Sequence, residues 1–433
     1  MARVYLSFLG LGSDKPGVGK GYTPAVYELM GTRSSETEFV QVAEHEILIQ
    51  KLALGPFDKT IIVATEKSRA ANFDNKLEPA LRHAGAVNIM PKIISEDMSP
   101  EGQWKWLDEI LPLIEHGDHL TVDLTHGYRA IPIVFSTAMN FLQKARNVTI
   151  DAVYYGAYDA NRKLSPIVDM KDFCIINEWA EAVSRLVEDA DARKMAKLAE
   201  LTPGFQVGEL NDEKLITAFE DLTNVIRNVD VHHVAEKAET AIRIVREKEA
   251  SASVTGKILL RLVLDKFTSL ASGEPASGRY DRAYFHTQLE IIKLLLEHKL
   301  YMQAYTVMRE FIGSIGMIEV DRAKVHTCAG RDLRKRFAEV FVCMVQFLEP
   351  RWTFKDQAAL DKDKLLPYYA KLRQIGVEPV LRGFASELVQ YRNGFDHAWT
   401  LKSGAEKDVE DKGTGFLRSL KRVIQILCEK GIL

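Results

Sequence analysis

The chain has 433 residues, 46% of them hydrophobic, and a formal net charge of −3. That length supports two or three domains with real cores, and the charge excludes a protein that coats nucleic acid non-specifically, so any polyanion must meet a local patch. No apolar run approaches the roughly 20 residues of a membrane-spanning helix, the start MARVYLSFLGLGSDKPG lacks the longer apolar core of a signal peptide, and Cys174, Cys328, Cys343 and Cys428 are scattered as in a reducing compartment. A cytoplasmic protein with no membrane partner and no structural zinc is expected.

Along the chain, the apolar β-rich runs at 4–11, 60–66, 87–94, 120–125 and 148–156 alternate with amphipathic helical stretches near 37–52, 75–84, 101–116 and 130–146. This pattern predicts an open α/β domain with a mostly parallel sheet over residues 1–170. In such sheets ligands bind beyond the carboxyl ends of the strands. After residue 171 the strands stop. A helical connecting region over 171–275 follows, then SLASGEPASGRYD as the best linker candidate. A helical bundle is expected over 276–433, where Leu300, Ala304, Val307, Met308 and Phe311 share one face, as do Leu381, Phe384, Ala385 and Leu388.

The first loop, GSDKPGVGKGYT, invites a phosphate-loop reading and fails it, because Asp14 stands where the first glycine belongs and Gly21 where Ser or Thr belongs. A dinucleotide fingerprint fails as well, since Gly10 and Gly12 are followed by Lys15. An ordinary strand-to-helix loop and a binding loop of another kind both remain open. The stretch TVDLTHGYRAIP is more informative. An apolar strand ends in Asp123, Thr125, His126, Gly127 and Arg129 just before a helix with Pro132 in its first turn, where free N–H groups favour phosphate. The plainer reading keeps His126 as a polar rim residue and Asp123 as a turn fixer.

Near the C-terminus, QYRNGFDHAW sets Arg392 and His397 five residues apart. Spelling alone decides nothing, because RNVDVHH and RYDRAYFH give similar pairs from Arg227 and Arg279. Five residues span roughly 140° of an ideal helix, so the two converge only if the helix ends or bends near Gly394. The alternative is Arg392 paired with an acid and His397 solvated at a helix end. Position favours this pair, because an apolar helix leads straight into Arg392, whereas the 227–233 stretch reads as ordinary amphipathic helix.

Asp123-Leu124-Thr125-His126-Gly127 in an N-terminal α/β domain, with a C-terminal Arg392-Asn393-x-x-x-His397-Ala398, resembles the CRISPR-associated CARF–HEPN ribonucleases of the DxTHG-motif group. The resemblance covers the architecture of the whole chain. It implies a Rossmann-like CARF sensor for cyclic oligoadenylate, with Gly10, Gly12 and Ser13 of the first loop and Thr125, His126, Gly127 and Arg129 as the ligand-binding residues. It also implies a homodimer with a twofold pocket, an arrangement that suits a ring-shaped polyphosphate. The helical end would be a HEPN ribonuclease for single-stranded RNA whose composite site takes Arg and His from two protomers.

Metal-independent RNA cleavage needs a base for the 2′-OH, an acid for the leaving 5′ oxygen and a cation for the transition state. Histidine can give and take a proton near neutral pH, and arginine can hold two phosphoryl oxygens. On this resemblance His397 and Arg392 would take those roles, with Asn393 positioning either one, no cofactor, and a 2′,3′-cyclic phosphate and a 5′-OH as the expected products. The basic run RDLRKRF offers Arg331, Arg334, Lys335 and Arg336 as RNA contacts, a solvated helix face being the plainer reading, and Glu310 beside Arg309 is a candidate to orient Arg392. Two other readings stay open: a ligand-sensing regulator that binds nucleic acid or a partner without cutting, and an N-terminal domain that degrades its own activator.

Overall fold

The run RVYLSFL forms β1 (Arg3–Leu9), whose alternation sends Val4, Leu6 and Phe8 to one face of a sheet and Tyr5 and Leu9 to the other, all of them buried. Burial on both faces is why the strand reads as continuous apolar sequence. The computed structural model describes the chain except residues 16–18, 128–130, 160–163, 202–207, 272–277, 321–326, 398 and 400–407, with backbone alone at 13–15, 19, 20 and 201. The described residues divide into two units, Met1–Asn177 and Glu178–Leu433.

In the first unit, β1 is followed by a hairpin of β2 (Ser13–Lys15) and β3 (Gly19–Gly21), then β4 (Ala25–Leu29) and β5 (Thr32–Thr37). Next come α1 (Val40–His45) with a π-helical continuation Glu46–Lys51, and β6 (Lys59–Ala64). The chain then passes through α2 (Glu66–Ser68), a π-helical stretch Arg69–Leu77, α3 (Glu78–His83), β7 (Ile89–Ile93) and α4 (Pro100–Ile110). The unit closes with β8 (His119–Asp123), α5 (Ile131–Arg146), β9 (Thr149–Gly156), β10 (Ser165–Asp169) and the start of α6 (Lys171–Asp189).

Eight strands form one sheet in the order β5-β4-β10-β9-β8-β1-β6-β7. Pairs β1·β6, β6·β7, β1·β8, β8·β9 and β10·β4 are parallel, and β10·β9 and β4·β5 antiparallel. The mostly parallel sheet expected from the sequence is therefore present. Trp106, Ile110, Phe135, Met139 and Leu142 of α4 and α5 pack on Val4, Leu6 and Phe8. Val40, Ala43, Phe73, Leu77 and Leu81 pack on Tyr5, Leu9 and Ile62 from the other side. The chain moves outward from β1 to β6 and β7, then returns to place β8 on the other side of β1. The strand order thus reverses between β1 and β8, the position where open α/β sheets hold ligands.

Four expectations need correction. The first loop, read as either a strand-to-helix loop or a binding loop, carries the β2–β3 hairpin, and β4, β5 and β10 widen the sheet beyond the five strands read from the sequence. Their outward positions are polar and half-exposed, so they lack the apolar run of a central strand. The helix over 37–52 starts α-helical and continues as a π-helix. VDVHHVAEKAE is not one helix, because a turn over 228–233 intervenes.

The second unit contains α7 (Arg193–Leu201), α8 (Glu213–Arg227), α9 (Val234–Ser251) and α10 (Val254–Ala271). It continues with α11 (Arg282–Glu297), α12 (Tyr301–Met317), α13 (Cys328–Gln346), α14 (Asp356–Gln374), α15 (Val377–Asp396) and α16 (Val409–Glu429). Helix α12 packs on α11, α13, α15 and α16, and its buried Ala304, Val307, Met308 and Phe311 form the expected apolar face. Leu381, Phe384, Ala385 and Leu388 do the same for α15. Among the described residues no helix is long and apolar enough to cross a membrane.

Candidate functional site

In the first unit the site grows from the carboxyl ends of β1 and β8. Asp123, the last residue of β8, is fully buried and accepts from Ser7 Oγ at 2.7 Å, from Thr125 N at 2.9 Å and from the Thr125 hydroxyl. Thr125 Oγ1 in turn accepts from Gly156 N at 2.7 Å, so one side chain ties the turn to the end of β9. Gln41 Nε2 of α1 donates to Ser7 Oγ at 3.0 Å and to Phe8 O at 3.1 Å. Burial pushes the Asp123 carboxyl up to about 6 against the opposing hydrogen bonds from Thr125 and Ser7.

Below this relay lies a second buried polar group. Tyr5 Oη donates to Glu44, and burial reinforced by Asp123 raises the Glu44 carboxyl well above the usual range. His45 contacts Gln41 O at 2.8 Å and Thr60 Oγ1 at 3.3 Å, and burial pushes it down to about 4. None of Tyr5, Ser7, Gln41, Glu44 or His45 was singled out from the sequence. Apart from the His45–Gln41 contact within α1, their partners lie 15 to 116 residues away, and the local signal is a polar Gln41, Glu44 and His45 on the side of α1 where an apolar face belongs.

The Thr125–Gly127 turn meets the first loop. Gly10 N donates to Tyr22 Oη at 3.0 Å, Asn72 Nδ2 donates to Gly10 O at 3.0 Å, and a Cβ on Gly10 would lie 3.6 Å from Gly127 N. The ring of His126 sits 4.4 Å from that of Tyr22. Burial pushes His126 down to about 4, leaving a neutral imidazole at pH 7 whose buried Nε2 has no partner among the described residues. Gly127 has φ +108°, and a Cβ there would stand 2.9 Å from Ile131 Cδ1 and 3.1 Å from Phe8 Cβ. Only glycine fits both the dihedral and the space.

These loops border a cavity of about 250 Å³. Its walls include Phe8, Val63, Ile94 and Ile131, and its rim carries Gly10, Gly127, Thr65 and Ser68. Thr65 and Ser68 form a reciprocal capping box just after β6. Lys67 and Glu96, also lining the cavity, pair at 2.6 Å. Gly10 and Gly127 are thus brought together at one cavity, with Thr125 and His126 in the same turn. Gly12 is backed by Gly21 at the base of the hairpin, the side chain of Ser13 is not described, and Arg129 lies outside the described residues.

In the second unit, Arg392 and Asn393 lie near the C-terminal end of α15 and His397 is its C-cap. Arg392 Nη1 forms an ion pair with Asp396 and a 3.4 Å contact with Asn393 Oδ1, while its buried Nε has no partner among the described residues. The His397 side chain is exposed, and its backbone N donates to Asn393 O at 3.0 Å. No hydrogen bond joins Arg392 to His397 among the described residues. Beyond the cap, Trp399 N donates to Gly394 O at 2.8 Å, the six-to-one bond that closes a helix C-terminus. Its indole lies where a Cβ on Gly394 would come within 2.6 Å and meets Phe395 and Tyr391 edge-on.

Two cations of the basic run are engaged by acids within the bundle. Arg334 is committed to Glu310 Oε2 at 2.9 Å, Glu310 O at 2.9 Å and Ser314 Oγ at 2.9 Å, and lies over Tyr280. Arg336 chelates the buried Asp361 through two bonds. Arg331 and Lys335 are exposed. Glu310 therefore serves Arg334, and Arg309 at 3.0 Å, in place of the expected Arg392.

No protein-family model matches the chain. The chain is similar to the CRISPR-associated protein MJ1674 of Methanocaldococcus jannaschii, with 24% identity over 368 residues. That alignment takes in 72% of this chain and 53% of the relative, so the chain spans about half the length of the curated protein it matches.

Proposed function

We propose that the chain serves CRISPR-based defence as a homodimeric, cyclic-oligoadenylate-activated endoribonuclease that cleaves single-stranded RNA without a metal. The observation that carries the reading is the cavity at the strand-order reversal. Gly10 and Gly127 line an apolar chamber there with Thr65 and Ser68 on its rim, and the neutral His126 adjoins Gly127 in the same turn, which supports a polar-rimmed surface on which a base can stack. At about 250 Å³ the chamber is smaller than the ~300–1,000 Å³ typical of drug-sized ligands. It has room for about one base, so a ring of several nucleotides requires a second copy's chamber alongside. Similarity to a CRISPR-associated protein supports the same setting.

In the helical unit His397 is exposed and unencumbered, placed to exchange a proton with the ribose 2′-OH or the leaving oxygen. Arg392 supplies the cation and Asn393 lies beside it. Incubating the protein and its His397→Ala variant with labelled single-stranded RNA in EDTA, with and without cyclic oligoadenylates, tests the reading. Cleavage is expected only with activator and only with His397, while the variant still binds the activator. The second reading, a regulator that does not cut, is favoured by the Arg392–Asp396 pair, which neutralises the guanidinium within one copy. Absence of cleavage under any ligand selects it.

A further inference from the structure

The two other Arg/His spacings in the sequence are not equivalent once folded. Arg227 donates to Asp189 O at 3.3 Å and His233 pairs with Asp230 at 2.8 Å. His286, by contrast, opens onto a groove of about 430 Å³ between α11 and α16. Arg282 and His286, one turn apart on α11, face Lys421 and Gln425, one turn apart on α16, across a floor of Leu289 and Ile424.

The cations here differ from Arg334 and Arg336 in having no counter-charge among the described residues. Arg282, Lys421, and the neighbouring exposed Arg418 and Arg422 have no ion pair or side-chain hydrogen bond among the described residues. Arg334 and Arg336, which looked like the RNA surface by sequence, spend their charge on Glu310 and Asp361. Residues 418, 421, 422 and 425 recur at helical spacing and share one face of α16. The groove also holds Glu290 and Glu429, the latter accepting from Gln425 Nε2 at 2.7 Å. Four unpaired cations against two carboxylates leave this face positive on a chain whose net charge is −3.

We infer that the α11–α16 groove is a track for the phosphate backbone of single-stranded RNA, separate from the residues that cut it. Unpaired arginines and lysines give up no internal partner when they neutralise phosphates, and release of the phosphates' counterions supplies sequence-independent affinity. Arg418 to Gln425 spans about 10 Å of helix, a reach of roughly three phosphates at the ~3.4 Å spacing of one strand. The aliphatic floor gives a base a surface to lie on.

This inference rests on the ribonuclease reading, and its test keeps the two apart. Fluorescence anisotropy of a labelled 20-nucleotide RNA, measured over a salt series with the full-length His397→Ala protein, reads binding alone. Adding Arg282→Gln with Lys421→Gln should weaken binding and reduce the slope of log K against log salt by about 1.4, at about 0.7 per single-strand contact. Arg243→Gln, at an exposed cation already paired with Glu247, should leave the slope unchanged. With His397 intact, the double variant should raise KM for long RNA at unchanged kcat and leave trinucleotide cleavage alone. An unchanged affinity and slope in the double variant, or no RNA binding by the parent, overturns the track. Cleavage that survives His397→Ala overturns the ribonuclease reading, and the anisotropy result still judges the groove by itself.

Discussion

Replacing Asp123 with asparagine should change how the first unit's stability depends on pH. The carboxyl stands at about 6 in the fold and near 3.9 in an unfolded chain. A carboxyl raised in the native state binds its proton more tightly there, so its contribution to stability is present below the unfolded value and lost as pH rises through the folded one. The gap between those two values corresponds to about 3 kcal/mol, of which roughly 2 kcal/mol falls between pH 4 and 7. His45 and His126, both held near 4, work oppositely over nearly the same window, so the wild-type profile alone is uninformative and the difference between the two proteins is what to measure. The asparagine has partners available. Its carbonyl can keep the Thr125 donors, and its amide can donate to Ser7 Oγ if the Ser7 hydroxyl turns to Phe8 O, now at 3.4 Å. Hydrogen exchange followed by mass spectrometry on peptides from β1 and β8 isolates this unit. Wild type should gain on the variant by about 2 kcal/mol as pH falls from 7 to 4. A flat difference, or one of opposite sign, refutes the assignment of Asp123 as an ionised group held at a cost.

Three further outcomes follow from other contacts. Gly127→Ala must adopt φ +108° and crowd Ile131 and Phe8, at a cost of about 2 kcal/mol; thermal unfolding should show the loss, and calorimetry should show weaker activator binding. Arg334→Ala strips partners from Ser314 and from the half-exposed Glu310, for about 2 kcal/mol of destabilisation. Arg331→Ala should stay within about 0.5 kcal/mol, and urea unfolding of both variants checks the contrast. Asp396→Asn removes the counter-charge from Arg392; an i,i+4 pair of this kind is worth about 0.4 kcal/mol, so activator-free cleavage should rise about twofold in an initial-rate assay. A fall instead would mean that Asp396 supports Arg392.

The sequence disclosed those parts of the fold whose signal is local. Strands β1, β6 and β8 announce themselves because nearly every position is buried, and the helix leading to Arg392 because Leu381, Phe384 and Leu388 recur at helical spacing. Strand β5, TRSSET, hides because most of its side chains face outward. The relay of Gln41, Ser7 and Asp123 hides for a different reason. Gln41 and Ser7 are unremarkable by themselves, and even the motif residue Asp123 meets them only when parallel pairing sets Ser7 beside it, 116 residues away. Charge pairing is hidden in the same way. RDLRKRF displays its cations in the sequence, but the acids that pair Arg334 and Arg336 sit 24 residues before and 25 after, whereas Arg282 and Lys421, far apart in sequence, share one groove.

Trp399 gives the C-terminal site a built-in optical and magnetic label. Its indole rests on Gly394, edge-on to Tyr391 and Phe395, two residues past His397. The chain has five tryptophans, and Trp106 and Trp179 are buried in cores elsewhere. Biosynthetic 5-fluorotryptophan would therefore yield a short fluorine spectrum in which the Trp399 resonance senses RNA arriving at the helix end. The same resonance would do so with no probe attached to Arg392, Asn393 or His397.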